Sequence, residues 1–274
     1  DRDPVRAATI VLEGEGGSST GVGVAVAVNV ADIVNEAVLG DSTITADDVV
    51  VQALMAEVDG DSKHAFKAEA TSGASGAETG VAGALAINVG LSRTQAKLAD
   101  NATVTITDDG AVELKARNLV SNTVKATARQ EGGGSVGVGA SIALNIGETD
   151  TDGLIGNGVV LTGAGDITLG AASSNAMATT AEGGSAGDTA ITPVIAISVS
   201  DNDTQAMLGT GGTLTLGGTL DVGASHNGST FTDAAGNTES GQTGVGITIA
   251  LAIGTDTALA TTGRGIVAVG DVKF

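Results

Sequence analysis

From Gly21 the chain reads GVGVAVAVNV, with valine at every even position and glycine, alanine or asparagine at every odd one. A strict period of two predicts a β-strand, and the two residue sets fall on its opposite faces. The alternation returns in GVAGALAINV (80–89) and VGASIALNIG (138–147). It comes back twice more, with Ser198 and Ala252 where the first three copies carry Asn29, Asn88 and Asn145. These anchors are 59, 57, 53 and 54 residues apart. Repetition at a fixed interval marks a stacked array, in which one unit cannot bury its own apolar face.

The register extends beyond the opening motif. Eight residues after each of the first four anchors begins a short turn: AVLG, AKLA, GLIG and AMLG. A strand, a Gly/Asp turn and a second strand come next, as in STITADDVVVQA and ATVTITDDGAVELKA. Their apolar columns align as Ile44, Val104, Leu161 and Leu214, then Val49, Val112, Ile167 and Leu220, then Val51, Leu114, Leu169 and Val222. A further strand is predicted around Phe66, Val124, Met177 and Phe231, read as one inward column. A glycine-rich bridge such as EGGGS leads to the next motif.

With no amphipathic helical pattern, the fold class is all-β, a β-solenoid of tandem repeats of about 53–59 residues. Residues 1–274 form a single array: partial unit 1–20, units of about 21–79, 80–136, 137–189 and 190–243, and partial unit 244–274. One long coil or two short coils per unit both fit. Gly23, Ala25 and Ala27 offer a face on which another backbone can lie close, and with no polar side on the opening strand we expect it to be covered on both faces. Composition agrees with thin layers: 43 glycines, no Cys, Trp or Tyr, and three Phe. No apolar run is long enough for a membrane helix, and an outer-membrane barrel would need aromatic girdles.

The stretch GVGVAVAVNV…AVLGDSTITADDVVVQA and its three full echoes resemble the repeat regions of very large bacterial surface and secreted proteins of the adhesin type, the filamentous-haemagglutinin-like exoproteins. The resemblance covers nearly the whole chain and implies export and an extended β-solenoid shaft. It implies no particular ligand, because the motif consists of packing residues.

Charge narrows the choice of partners. The formal net charge is −20, and from Glu131 to Gly263 there is no Lys or Arg. Such a surface disfavours nucleic acid and anionic lipid. It suits solubility or divalent cations. The sharpest metal candidate is ETDTDG, where Glu148, Asp150 and Asp152 precede Gly153 with oxygen ligands at alternate positions, as in the first half of a calcium loop. Val159 stands where the closing bidentate Glu belongs. Thr43 and Thr45, Thr103 and Thr105, Thr162, and Thr213 and Thr215 would form hydroxyl columns of the kind that flat ice-binding solenoids display, or serve simply as strand formers. The asparagine anchors suggest an amide ladder or a turn residue bonded to its own backbone. His64 and His226 occupy different places in their units, so no catalytic residues and no cofactor are assigned.

The expectation is therefore a non-catalytic structural shaft, secreted or on a bacterial cell surface. Its expected partners are further repeat units or copies of itself end to end, without nucleic acid or a membrane-spanning segment. The alternative is a calcium-dependent or glycan-binding adhesin module. ATIVLEGEGG and GRGIVAVGDVKF both read as cut within a unit, so both ends are expected to continue, burying Phe274. Calcium at Glu148, Asp150 and Asp152 predicts that a chelator lowers the melting temperature and that millimolar calcium restores it. Identical melts in chelator and in calcium would leave solubility as the role of the charge.

Overall fold

The computed structural model describes residues 10–15, 19–57, 60–75, 78–132 and 134–274. Most of partial unit 1–20 lies outside them. The strands in chain order are β1 (Ile10–Glu15), β2 (Thr20–Leu39), β3 (Thr43–Ala46), β4 (Val49–Ala53), β5 (His64–Ser75), β6 (Thr79–Leu98), β7 (Thr103–Ile106) and β8 (Val112–Glu131). They continue with β9 (Val136–Ile155), β10 (Val160–Thr162), β11 (Ile167–Leu208), β12 (Leu214–Leu216), β13 (Leu220–Thr262), β14 (Ile266–Ala268) and β15 (Val272–Lys273). All strand pairs are parallel, and no helix occurs among the described residues.

Each repeat is one coil, which settles the number the sequence left open. A long strand forms wall A: β2, β6, β9, residues 189–208 of β11 and residues 243–262 of β13. A short strand, β3, β7, β10, β12 or β14, turns the corner. A second long strand then runs back as wall B: β1, β4 with β5, β8, and the first parts of β11 and β13. Asn29 pairs with Asn88, Asn88 with Asn145, Asn145 with Ser198, and Ser198 with Ala252, so the anchor spacing is the pairing register. The aliphatic columns of the corner strands align as expected.

The interior is a wedge. Beside the narrow wall, where three sheets meet, it is wide and filled by Leu98, Val104, Leu114, Ile155, Leu169 and Leu208. Farther along the long walls it thins to alanine and glycine. At the far end a Cβ on Gly139 would lie 2.0 Å from the Gly184 carbonyl oxygen of wall B, and one on Gly137 would lie 2.2 Å from that of Ala186. Where wall B carries a large residue, wall A supplies the gap: a Cβ on Gly90 would meet the Phe66 ring at 2.7 Å. Residue size thus sets wall separation.

Two expectations are corrected. The small residues of the opening strand face the interior, but its valines face outward and are exposed, so the strand is covered on one face only. Phe66, Val124, Met177 and Phe231 are not one column. Phe66 and Met177 both pair with Asn122, Val124 pairs with Thr179, and Phe231 pairs with Ala178. The first coil carries a longer loop between β4 and β5, and the apolar match skipped over a buried asparagine, giving a slip of two residues that left Phe66, Val124 and Met177 buried. At Phe231 the slip was one residue, which reverses the face, and its side chain is 61% exposed.

Corners are tied from coil to coil. Asp100 accepts from the Asn157 amide at 3.0 Å, and Asn157 Oδ1 accepts from the Thr210 amide at 2.9 Å. Arg264 ends this series differently, with its buried guanidinium donating to the carbonyls of Gly209, Val159, Gly156 and Thr210 at 2.7 to 3.2 Å across three coils. At the other corner Asp166 accepts from both the amide and the hydroxyl of Thr219, which hold its carboxyl below the usual aspartate range.

The close approach predicts opposite effects for two glycines on wall A. Gly139→Ala should lower stability by about 1–3 kcal/mol in urea unfolding, because its methyl meets backbone that cannot yield. Gly83→Ala places its methyl on the outer face, 3.9 Å from Val24 Cγ2, and should be neutral or mildly stabilising. Equal losses at both positions would contradict the assigned faces.

Candidate functional site

The asparagines build a buried polar seam between the walls. Asn29 Nδ2 donates to Asn88 Oδ1 at 2.7 Å, and Asn88 Nδ2 donates to Asn145 Oδ1 at 3.0 Å. This is the amide ladder and not the turn arrangement, since all three residues stand within strands. Wall B carries a second ladder, in which Asn122 Nδ2 donates to Asn175 Oδ1 at 3.1 Å. Asn88 Nδ2 also reaches Asn122 Oδ1 at 3.0 Å, joining the two walls. In the later coils hydroxyls take over: Ser198 bonds Thr179 and Thr232, each at 2.7 Å, and Ser185 bonds Thr192 at 2.7 Å. A stacked amide has a partner above and below, so burial leaves few of its groups unpaired.

One part of the seam has a composition known from catalysis. Ser173 Oγ lies 2.6 Å from His226 Nδ1, and His226 Nε2 lies 3.2 Å from Asp256 Oδ1. The serine also bonds Thr204 at 2.6 Å and is buried. A nucleophile needs an accessible face and donors for an oxyanion. Here the hydroxyl is enclosed between the walls and is hydrogen-bonded to Thr204 and His226, while His226 Nε2 is buried without a hydrogen-bond partner despite its approach to Asp256.

Glu148, Asp150 and Asp152 lie on the outer face of β9, in mid-strand. Alternate residues of a strand stand about 6.6 Å apart, so the three carboxylates form a row and do not wrap a point. Asp150 is 3.5 Å from Arg93 Nη2, and Asp152 accepts from Gln95 Nε2 at 3.3 Å. Burial pushes the Asp152 carboxyl up, against the pull of Gln95, with Asp150 and Asp203 adding to the rise. On the next coil Asp201 pairs with Glu148 and Asp203 with Asp150. Among the described residues, no three His, Cys, Asp or Glu side chains converge as a metal site requires.

The threonines Thr43, Thr45, Thr103, Thr105 and Thr162 stack on the outside of the narrow wall, with Val160 interrupting one column. On wall B a shallow groove of about 560 Å³ runs past Arg129, Glu182, Ser185 and Asn237, with Arg129 3.6 Å from Glu182. No aromatic side chain lines it to stack on a sugar ring. Among the described residues no helix is long and apolar enough to cross a membrane.

The outer face of wall A is an organised apolar surface. Stretches 22–30, 81–89, 138–146, 191–199 and 245–253 lie side by side, and every outward residue is Val, Ile or Leu except Gly83, Ala140 and Pro193. Val24 is 50% exposed and Ile247 55%. The carboxylate row borders this block on one side, and Thr20, Thr79, Thr189 and Thr243 border it on the other. The alternation is plain in the sequence, but it suggested a strand covered on both faces, whereas the bulky face lies outside. Arg264 and the Ser173–His226–Asp256 trio were missed altogether, because each depends on contacts between coils.

No family model, curated protein or solved structure matches the chain.

The ladder makes Asn122 the residue on which both walls depend. Asn122→Leu removes the acceptor for Asn88 and the donor for Asn175, and should lower stability by about 3 kcal/mol in urea unfolding despite its greater apolarity. A neutral or stabilising result would mean that the seam contributes nothing to stability.

Proposed function

We propose that the chain is a length of structural shaft in a bacterial surface or secreted protein, non-catalytic and built to be extended coil upon coil. The observation carrying this reading is the parallel ladder, which keeps one register through every wall A strand, with an interruption at Thr192 and Pro193 that leaves the register unchanged. Support also comes from the outer strands: among the described residues β2 pairs with β6 alone and residues 243–262 pair with β11 alone, which leaves one edge of each without a ladder partner there. Such edges accept a further coil of the same shape. The net charge of −20 supports a role that requires solubility over a long surface.

The test is immunoelectron microscopy of intact cells that produce the protein, using antibody raised against the folded chain. Labelled ribbons projecting from unpermeabilised cells, about 66 Å broad as a strand of 20 residues requires, are expected. Labelling that appears only after permeabilisation would overturn the reading.

A further inference from the structure

The outer face of wall A is too apolar and too regular to be an ordinary wetted surface. Its five strands span about 24 Å across the stack, and the nine residues of the apolar block span about 30 Å along each strand, giving roughly 700 Å². Soluble monomers rarely expose a continuous apolar patch of this size. A stable two-partner interface buries about 800 Å² on each side, so the area suits a single partner with an equally flat apolar face. The chain itself presents such a face. Sheets meeting face to face interdigitate their side chains at about 10 Å separation, and a surface of Val, Ile and Leu with one Gly, one Ala and one Pro is suited to that packing.

We propose that two copies of this chain pack through the outer faces of wall A, related by a two-fold axis that runs along the stacking direction through the column of Leu85, Ile142 and Ile195. Charge and sequence select this orientation. A two-fold along the strands through β9 would lay the carboxylates of Glu148 and Asp150 against their own copies, with like charges directly opposed. A two-fold along the stack reverses strand direction. The apolar blocks then coincide, and the first acidic column meets the threonine column on the opposite border. Asp201 comes opposite Thr189 of the other copy and Asp32 opposite Thr20, so hydroxyl donors face carboxylate acceptors at these two places, while Glu148 comes opposite Val136. The remaining carboxylates overhang into solvent. This contact is isologous and closes at two copies, unlike edge pairing, which adds coils without limit. It is therefore independent of the shaft reading.

Sedimentation equilibrium of the full chain tests the proposal. The wild type should sediment at twice 26.3 kDa in the micromolar range and stop there. Ile142→Glu combined with Ile195→Glu places two charges outward at the centre of the block, where they disturb no interior contact, and should weaken dimerisation at least 100-fold with the circular dichroism unchanged. Because the chain has no cysteine, Thr257→Cys gives a single spin-label site on an exposed residue that serves even if the double variant fails to fold. The proposed orientation puts the two labels about 50 Å apart, whereas a two-fold along the strands would bring them to about 20 Å. A wild type monomeric at 100 μM, a dimer indifferent to the double variant, a label separation near 20 Å, or binding of the wild-type face to phosphatidylcholine vesicles in place of a second copy would each overturn it.

Discussion

The long walls stand so close that one methyl group on Gly139 would overlap the carbonyl of Gly184 opposite. Most of the chain's unusual chemistry follows from that separation. Aromatic side chains cannot fit between backbones at this distance, and Phe66 is accommodated because Gly90 stands opposite it. Glycine and alanine take the inward positions, and the large aliphatic residues needed for strand propensity are displaced either to the wedge beside the narrow wall or to the outside.

A thin interior of small residues buries little apolar area per position, so hydrophobic burial alone holds it weakly. The seam compensates. Short polar side chains fit where Leu or Phe would not, and in a stack with constant register each amide or hydroxyl meets a counterpart one coil away. The replacement of asparagine by Ser198 in the fourth coil keeps the logic with a different partner set, since Ser198 bonds across to Thr179 and Thr232. Stability in such an array is shared between neighbouring coils, so damage at one seam position weakens the coils on both sides of it.

Much of the architecture was legible in the chain. Repetition of the Asn29 motif carries the register of wall A, because any slip would break a recognisable alternation. Period two also separates two faces, but it does not say which of them is inside. An all-apolar strand suggests cover on both faces, and here the short distance between backbones buries the small residues and leaves the valines outside. Phe66 and Met177 share their column with Asn122, so matching apolar to apolar lost the register at a place where the core is polar. Glu148, Asp150 and Asp152 share one face as their spacing requires, yet the strand keeps them apart where a loop would have gathered them. Arg264 joins carbonyls more than one hundred positions away in sequence, and only the coil length brings them within its reach.

One coil per repeat also has a mechanical meaning. A repeat of 53 to 59 residues advances the stack by only about 4.8 Å while its long walls extend about 66 Å sideways. An array of such coils is a ribbon, and a ribbon does not bend equally in all directions. Bending stiffness rises with the square of the dimension lying in the plane of bending for a given cross-sectional area. With two sheets no more than about 10 Å apart forming the thickness, the broad direction resists bending at least tenfold more than the thin one. Flexed by flow or by tension, a longer array would yield across its faces, with the sheets curving together, and remain almost rigid edge to edge.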